Sequence, residues 1–154
     1  MKGGKEMGAD INIHNANNNN HNNTALHYAA QSGSVDIIKL LLDTGISVNL
    51  TDKDGSTPLH VSAEFGHVEA TKFLVERGAV INSTNKYGDT PLLVAAYFGE
   101  LEIFRYLIEI GADINIRDAN NNNTALHLAA ELGTVNIIKL LLDKEMSVNL
   151  TLVR

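Results

Sequence analysis

The chain has 154 residues, 12 Lys and Arg against 18 Asp and Glu, no Cys and no Trp, for a formal net charge of −6 at pH 7. That length suits one domain or a short repeat array, and 44% apolar with 19% charged residues is the composition of a folded chain. The acidic balance argues against a general nucleic-acid binder, and the lack of Cys excludes a disulfide scaffold, a thiolate zinc site and a cysteine nucleophile. Apolar runs such as Leu40-Leu41-Leu42 fall far short of the roughly 20 residues that span a bilayer. Met1 to Glu6 has no apolar h-region, so an intracellular, cytoplasmic chain is expected.

Taken in chain order, the sequence repeats. Thr24-Ala25-Leu26-His27, Thr57-Pro58-Leu59-His60, Thr90-Pro91-Leu92-Leu93 and Thr124-Ala125-Leu126-His127 step by 33, 33 and 34 residues. A Gly follows each Thr at a fixed distance (Gly33, Gly66, Gly99, Gly133), and a second at Gly45, Gly78 and Gly111, where the last block has Glu145. Blocks close on Asn49, Asn82, Asn115 and Asn149, and Gly8-Ala9-Asp10-Ile11-Asn12 matches the closure Gly111-Ala112-Asp113-Ile114-Asn115. This gives one domain over 1–154: a partial unit at 1–19, then units 1 to 4 at about 20–51, 52–84, 85–117 and 118–151.

Unit 2 can be read physically. Thr57 is an N-cap and Pro58 suits the first helical position, so a short helix starts there and stops before Gly66. Val68 to Glu76 forms a second helix, with Ala70, Phe73 and Leu74 on one face, Glu69 in its first turn and Arg77 near its end. Gly78 stops it, and a turn-rich connector leads to the next Thr. Helices of two to three turns are unstable alone, so each pair must hide its apolar faces on the next.

These motifs resemble ankyrin repeats: the T-P-L-H box, the A-A or S-A pair, the mid-repeat Gly, the L-L run and the G-A-x-x-N closure, over about residues 7–151. The resemblance implies an all-α solenoid of stacked helix-turn-helix units with hairpin-like loops projecting as fingers. It also implies that the box His, here His27, His60 and His127, hydrogen-bonds between neighbouring loops. Leu93 replaces that His in unit 3, so a looser third junction is expected. Asn22 and Asn122 stand where Gly55 and Gly88 stand, Asn being the residue that best tolerates a left-handed backbone after Gly. Insertions fall in the Asn tracts at 15–23 and 120–123, on loops where extra length costs little. Residues 24–51 and 124–151 match at 20 of 28 positions, a sign of duplication. The last unit has no specialised polar cap, so a longer array or end-to-end stacking through that unit is expected.

No phosphate loop, dinucleotide fingerprint or nucleophile elbow is present, and no catalytic site, cofactor or metal is expected. His14 and His21 flank the first Asn tract and read as solvated loop rather than ligands; His67 reads as a helix-start residue. Glu100 and Glu102 belong to a helix first turn. The N-x-[ST] triplets come from the repeat framework, and the Asn runs read as low-complexity expansion in solvated fingers.

Function follows from the resemblance. Such repeats bind proteins through finger tips and the concave face of the first helices, which carries over to Lys53, Glu64 and Phe65 in unit 2, Lys86, Tyr87, Asp89, Tyr97 and Phe98 in unit 3, and Asn121, Glu131 and Leu132 in unit 4. Adjacent aromatic anchors with a polar rim are how interface hot spots are built, although Phe65 and Phe98 also suit a shielding role at the helix-pair junction. The expected function is a non-catalytic protein-interaction scaffold or adaptor for a protein partner, with no nucleic acid and no membrane. The alternatives are an accessory repeat segment of a larger enzyme, a ubiquitin-ligase adaptor or a bacterial effector.

Overall fold

The computed structural model describes residues 24–152, with side chains to residue 145. The partial unit at 1–19, His14, His21, Asn22 and the first Asn tract lie outside the described residues. Helices follow one another in pairs: α1 (Ala25–Ser32) and α2 (Val35–Asp43), α3 (Pro58–Glu64) and α4 (Val68–Glu76), α5 (Pro91–Phe98) and α6 (Leu101–Glu109), α7 (Ala125–Leu132) and α8 (Val135–Leu152). No strand occurs among the described residues. First helices stack on first helices, α1 on α3 on α5 on α7, and second helices form a parallel row behind them. Contacts therefore join each unit to its neighbours in sequence, which is a solenoid.

The helix starts are set where the repeating Thr falls. The Thr90 hydroxyl accepts the Leu93 N–H at 3.2 Å, and Pro91 occupies the first turn, where a missing N–H costs nothing. The second helix of unit 2 runs Val68–Glu76, as the spacing of Ala70, Phe73 and Leu74 predicts, and it buries Ala70, Thr71 and Leu74.

The same position has different surroundings in different units. Ala70, Ile103 and Ile137 are each 1% exposed because the preceding pair covers them, whereas Ile37, their counterpart in unit 1, is 48% exposed. On the opposite face Leu42 and Ile108 are 7% and 6% exposed, and their counterpart Leu142 in unit 4 is 45% exposed. Burial here is supplied by the neighbouring unit. Each such Ile or Leu side chain is worth about 1.5–3 kcal/mol when fully covered.

Unit 4 departs from the framework. Gly45, Gly78 and Gly111 take φ of 94°, 95° and 98°, a left-handed geometry that ends the second helix of each of the first three units. Glu145 occupies that place in unit 4, a residue with a side-chain penalty there, and α8 runs on through it to Leu152. The closing segment through Asn149, expected to resemble those at Asn49, Asn82 and Asn115, is helical instead.

Polar groups lock the units in register. The His27 Nε2 lies 2.9 Å from the Ser56 carbonyl, and the His60 Nε2 lies 2.9 Å from that of Asp89. Asn49 accepts the Val80 N–H at 2.9 Å and donates to the Gly78 carbonyl at 3.2 Å, while Asn82 accepts the Asp113 N–H at 3.0 Å. On the outer side, Arg77 reaches back to Asp43 at 3.0 Å. His67, read from sequence as a helix-start residue, also crosses a junction: its Nε2 lies 2.8 Å from the Gln31 carbonyl.

The third junction, between units 3 and 4, lacks the histidine lock: Leu93 is buried where the His would be. A backbone tie there is Ala119 N–H to the Tyr87 carbonyl at 2.7 Å, the counterpart of Lys86 N–H to the Asp54 carbonyl at 2.7 Å. A net hydrogen bond contributes only about 1 kcal/mol, so apolar burial keeps the third junction closed and the lost lock lowers its resistance to opening. Amide exchange followed by mass spectrometry or NMR is expected to show Ala119 exchanging faster than Lys86. Equal protection of the two amides would contradict this account of the locks.

Candidate partner-binding groove

The fingers are built by one side chain per unit. In unit 2 the Asp52 N–H donates to the Ser56 carbonyl at 2.9 Å, and the Asp52 carboxylate accepts the N–H groups of Asp54 and Ser56, both at 2.9 Å. Asn85 does the same in unit 3, its side-chain oxygen accepting from Tyr87 and Asp89, both at 3.0 Å. In unit 4 Asp118 closes on the Asn123 carbonyl and accepts the Asn121 N–H at 2.7 Å. The span is one residue longer there, so the extra Asn is absorbed at the turn. Asn122 takes φ of 59°, the left-handed geometry predicted for the residue that replaces Gly55 and Gly88. At Gly88 a side chain would also strike the Ala119 amide nitrogen, 2.5 Å from an added Cβ, so the glycine keeps the fingers close. Sequence reasoning missed the pivots Asp52, Asn85 and Asp118; the available signal was an Asx residue shortly before each repeating Thr.

The box histidines tie the fingers to the helices. The His60 Nδ1 accepts the Thr57 N–H at 3.0 Å, which leaves the proton on Nε2 to donate to the Asp89 carbonyl of the next finger. His27 makes the same pair of contacts, to Thr24 and to Ser56. His127 caps its own helix through Thr124, at 3.2 and 2.7 Å, as His27 and His60 cap theirs, and it is exposed in the described stack.

Between the fingers and the first helices lie two adjoining concavities. One, of about 380 Å³, spans units 2 and 3 and includes Glu64, Phe65, Tyr87, Asp89 and Phe98 in its walls. The other, of about 420 Å³, spans units 3 and 4 and includes Asp89, Tyr97, Phe98, Asn121 and Glu131. Asp89, Val94 and Phe98 belong to both, so the two form one groove. Eight of the eleven residues singled out by sequence thus meet in one place. Lys53, Lys86 and Leu132 lie outside the walls: Lys86 is ion-paired with Asp54 and sits 4.9 Å from the Tyr87 ring centre.

Tyr97 and Phe98 are 57% and 48% exposed and pack edge to face, with ring centres 5.1 Å apart at 74°. Phe65 is likewise 46% exposed, so Phe65 and Phe98 each turn part of their surface to the helix pair and part to solvent. Burial, and then the charge of Asp118, raises the Asp89 carboxyl above its ordinary 3.8. The Asp54 carboxylate, followed by Tyr87, raises the Lys86 ammonium. No group of three or more metal-ligating side chains occurs among the described residues, and no helix among them is long and apolar enough to cross a membrane.

A solenoid of stacked helix pairs with fingers along one edge defines a helical repeat protein. The family model described as ankyrin repeats, in three copies, matches residues 5–85, 45–118 and 81–151, and the chain belongs to the ankyrin-repeat family. Among curated proteins none matches the chain. Ankyrin repeats in general are protein-interaction modules, and their domains are typically non-catalytic.

Burial, outweighing the Asp89 hydrogen bond, lowers the His60 imidazole below its ordinary 6.5. The folded form then binds fewer protons than the unfolded form, so stability is present above about 6.5 and is lost as pH falls through the lowered value. Urea unfolding between neutral and mildly acidic pH is expected to show this loss in the wild type and a shallower slope in His60→Gln. An unchanged slope in the variant would show that His60 does not carry the dependence.

Proposed function

We propose that the chain is a non-catalytic scaffold or adaptor that holds a protein partner in the groove between fingers and first helices, centred on Tyr97 and Phe98. The observation that supports this reading most is the pair of exposed, mutually packed rings at the floor of a groove spanning units 2 to 4. Apolar rings that contribute little to the fold are retained at a cost in exposed surface, which a partner would remove. Glu64, Phe65, Tyr87, Asp89, Asn121 and Glu131 complete the contact surface, and Lys53, Lys86 and Leu132 form its margin. Replacing Tyr97 and Phe98 together by Ala is expected to leave circular dichroism and melting temperature nearly unchanged and to weaken partner capture by tenfold or more, about 1.4 kcal/mol. Unchanged capture would remove these rings from the interface.

A second contact is favoured by the exposed apolar ends of the described stack. Ile37 and Leu40 are open at one end, Leu142 at the other. The near-duplicate sequences of units 1 and 4 make each end resemble a surface that already stacks inside the chain. Head-to-tail association of this kind extends with concentration. Sedimentation velocity is expected to show concentration-dependent association that Leu40→Glu suppresses. A constant monomer mass up to high concentration would exclude it.

A further inference from the structure

The two joined concavities have apolar floors, from Val61, Phe65, Val94, Phe98 and Leu128, and walls of one sign of charge. Asp52, Asp54 and Glu64 contribute to the first, Asp118 and Glu131 to the second, and Asp89 to both. No lysine or arginine lines either. Lys86 stands outside the walls and is already engaged with Asp54. Asp89 lies at the centre of the groove, half-buried, and its carboxylate has no hydrogen-bond or ion-pair partner among the described residues. Its backbone carbonyl serves His60, which holds the residue in place while the side chain stays unengaged. Glu131, at the far side, is likewise without a partner among the described residues.

We propose that the groove takes a linear cationic peptide segment, in which lysine or arginine side chains meet Asp89 and its neighbours while interspersed apolar side chains rest on Phe65, Tyr97 and Phe98. The proposal rests on the groove reading above and adds the chemistry of the partner. Charge complementarity selects the sign: an acidic segment would meet uncompensated carboxylates on both walls, and a neutral one would leave Asp89 without an engaged counter-charge. The apolar floor selects the mixture. Aliphatic stems of lysine and arginine cover aromatic faces while their heads reach carboxylates at the rim, and a guanidinium over Tyr97 or Phe98 gains from the ring face itself. Each concavity has the size of a small-molecule pocket, but both are open and run into one another, which suits successive side chains of one chain. The desolvated Asp89 and its repulsion by Asp118 are relieved by an incoming cation, and that relief is absent for any neutral occupant.

The test is selection of a random ten-residue peptide library on the whole chain, repeated on Asp89→Asn/Glu131→Gln and on Tyr97→Ala/Phe98→Ala, with the enriched peptides measured by fluorescence anisotropy. The proposal expects enrichment of lysine or arginine beside leucine or aromatic residues. It also expects affinity to fall about tenfold in the carboxylate variant, to fall in the ring variant, and to weaken as salt is raised. Melting curves of both variants at or above the wild-type temperature show that neither loss is a failure to fold. Peptides that depend on Tyr97 and Phe98 but carry no excess positive charge, or that ignore the carboxylate variant, overturn the cationic partner and leave the groove reading intact. Peptides insensitive to both variants, or no enrichment at all, overturn both.

Discussion

A pair of two-turn helices has two apolar faces and room to bury only one of them within itself. The other must be covered by the next pair, and nearly every feature of the chain follows from that constraint. The side chain at the place of Ile37 is sealed in units 2, 3 and 4 and open in unit 1, with the same backbone geometry throughout. Coverage by a neighbour decides its state, and local sequence does not. Because apolar burial outweighs any single inter-unit hydrogen bond, the histidine and asparagine locks set register and resistance to opening, while stacking itself survives where they are missing. Unit 3 shows this: Leu93 gives up the lock yet is buried like the histidines it replaces, in the core shared with Phe104 and Leu128.

Much of this was legible in the sequence because a repeat presents each residue several times in the same role. The limits of α4 and the left-handed Asn122 could both be read by comparing units, since glycine or a substitute recurs where the backbone demands it. What escaped reading are features in which a unit differs from its siblings or in which a side chain reaches into another unit. The helical continuation of α8 follows from one missing glycine, whose consequence is visible only when the helix is seen to pass through Glu145. His67 sits at a helix start, and nothing local to it announces the Gln31 carbonyl of the preceding unit.

The groove divides along the same line. Its aromatic residues stood out in the sequence because large apolar side chains are conspicuous at positions facing away from the core. Its charge was legible only in part: Glu64, Asp89 and Glu131 stood at the expected positions, whereas Asp52 and Asp118 have evident work in their own turns. Only the stacking of fingers gathers them on one wall. Net charge of the whole chain gave the sign without the place.

That gathering also explains how a strict framework leaves room for recognition. Thr, His, the closing Asn and the Asx pivots make hydrogen bonds whose loss loosens a junction, so changing them costs stability whatever the partner. Glu64, Phe65, Tyr97, Phe98 and Glu131 lie at the ends of the first helices, where side chains leave the stack. The pivots contribute to both: Asp52 and Asp118 carry charge where Asn85 carries none, although all three close a finger with the same kind of amide contacts. An Asn at 52 or 118 would preserve the turn and lower the negative potential of the wall. The fold constrains a pivot's geometry and leaves its charge free, so charge at the pivots can be set by the partner's needs. Asp89 is the complementary case. Its main chain is fixed by His60 and Asn85 while its carboxylate takes no part in the fold, and it bears a desolvation cost that folding does not repay. A side chain held at a stability cost, in the place common to both halves of a groove, is where a ligand's charge has the most to offset.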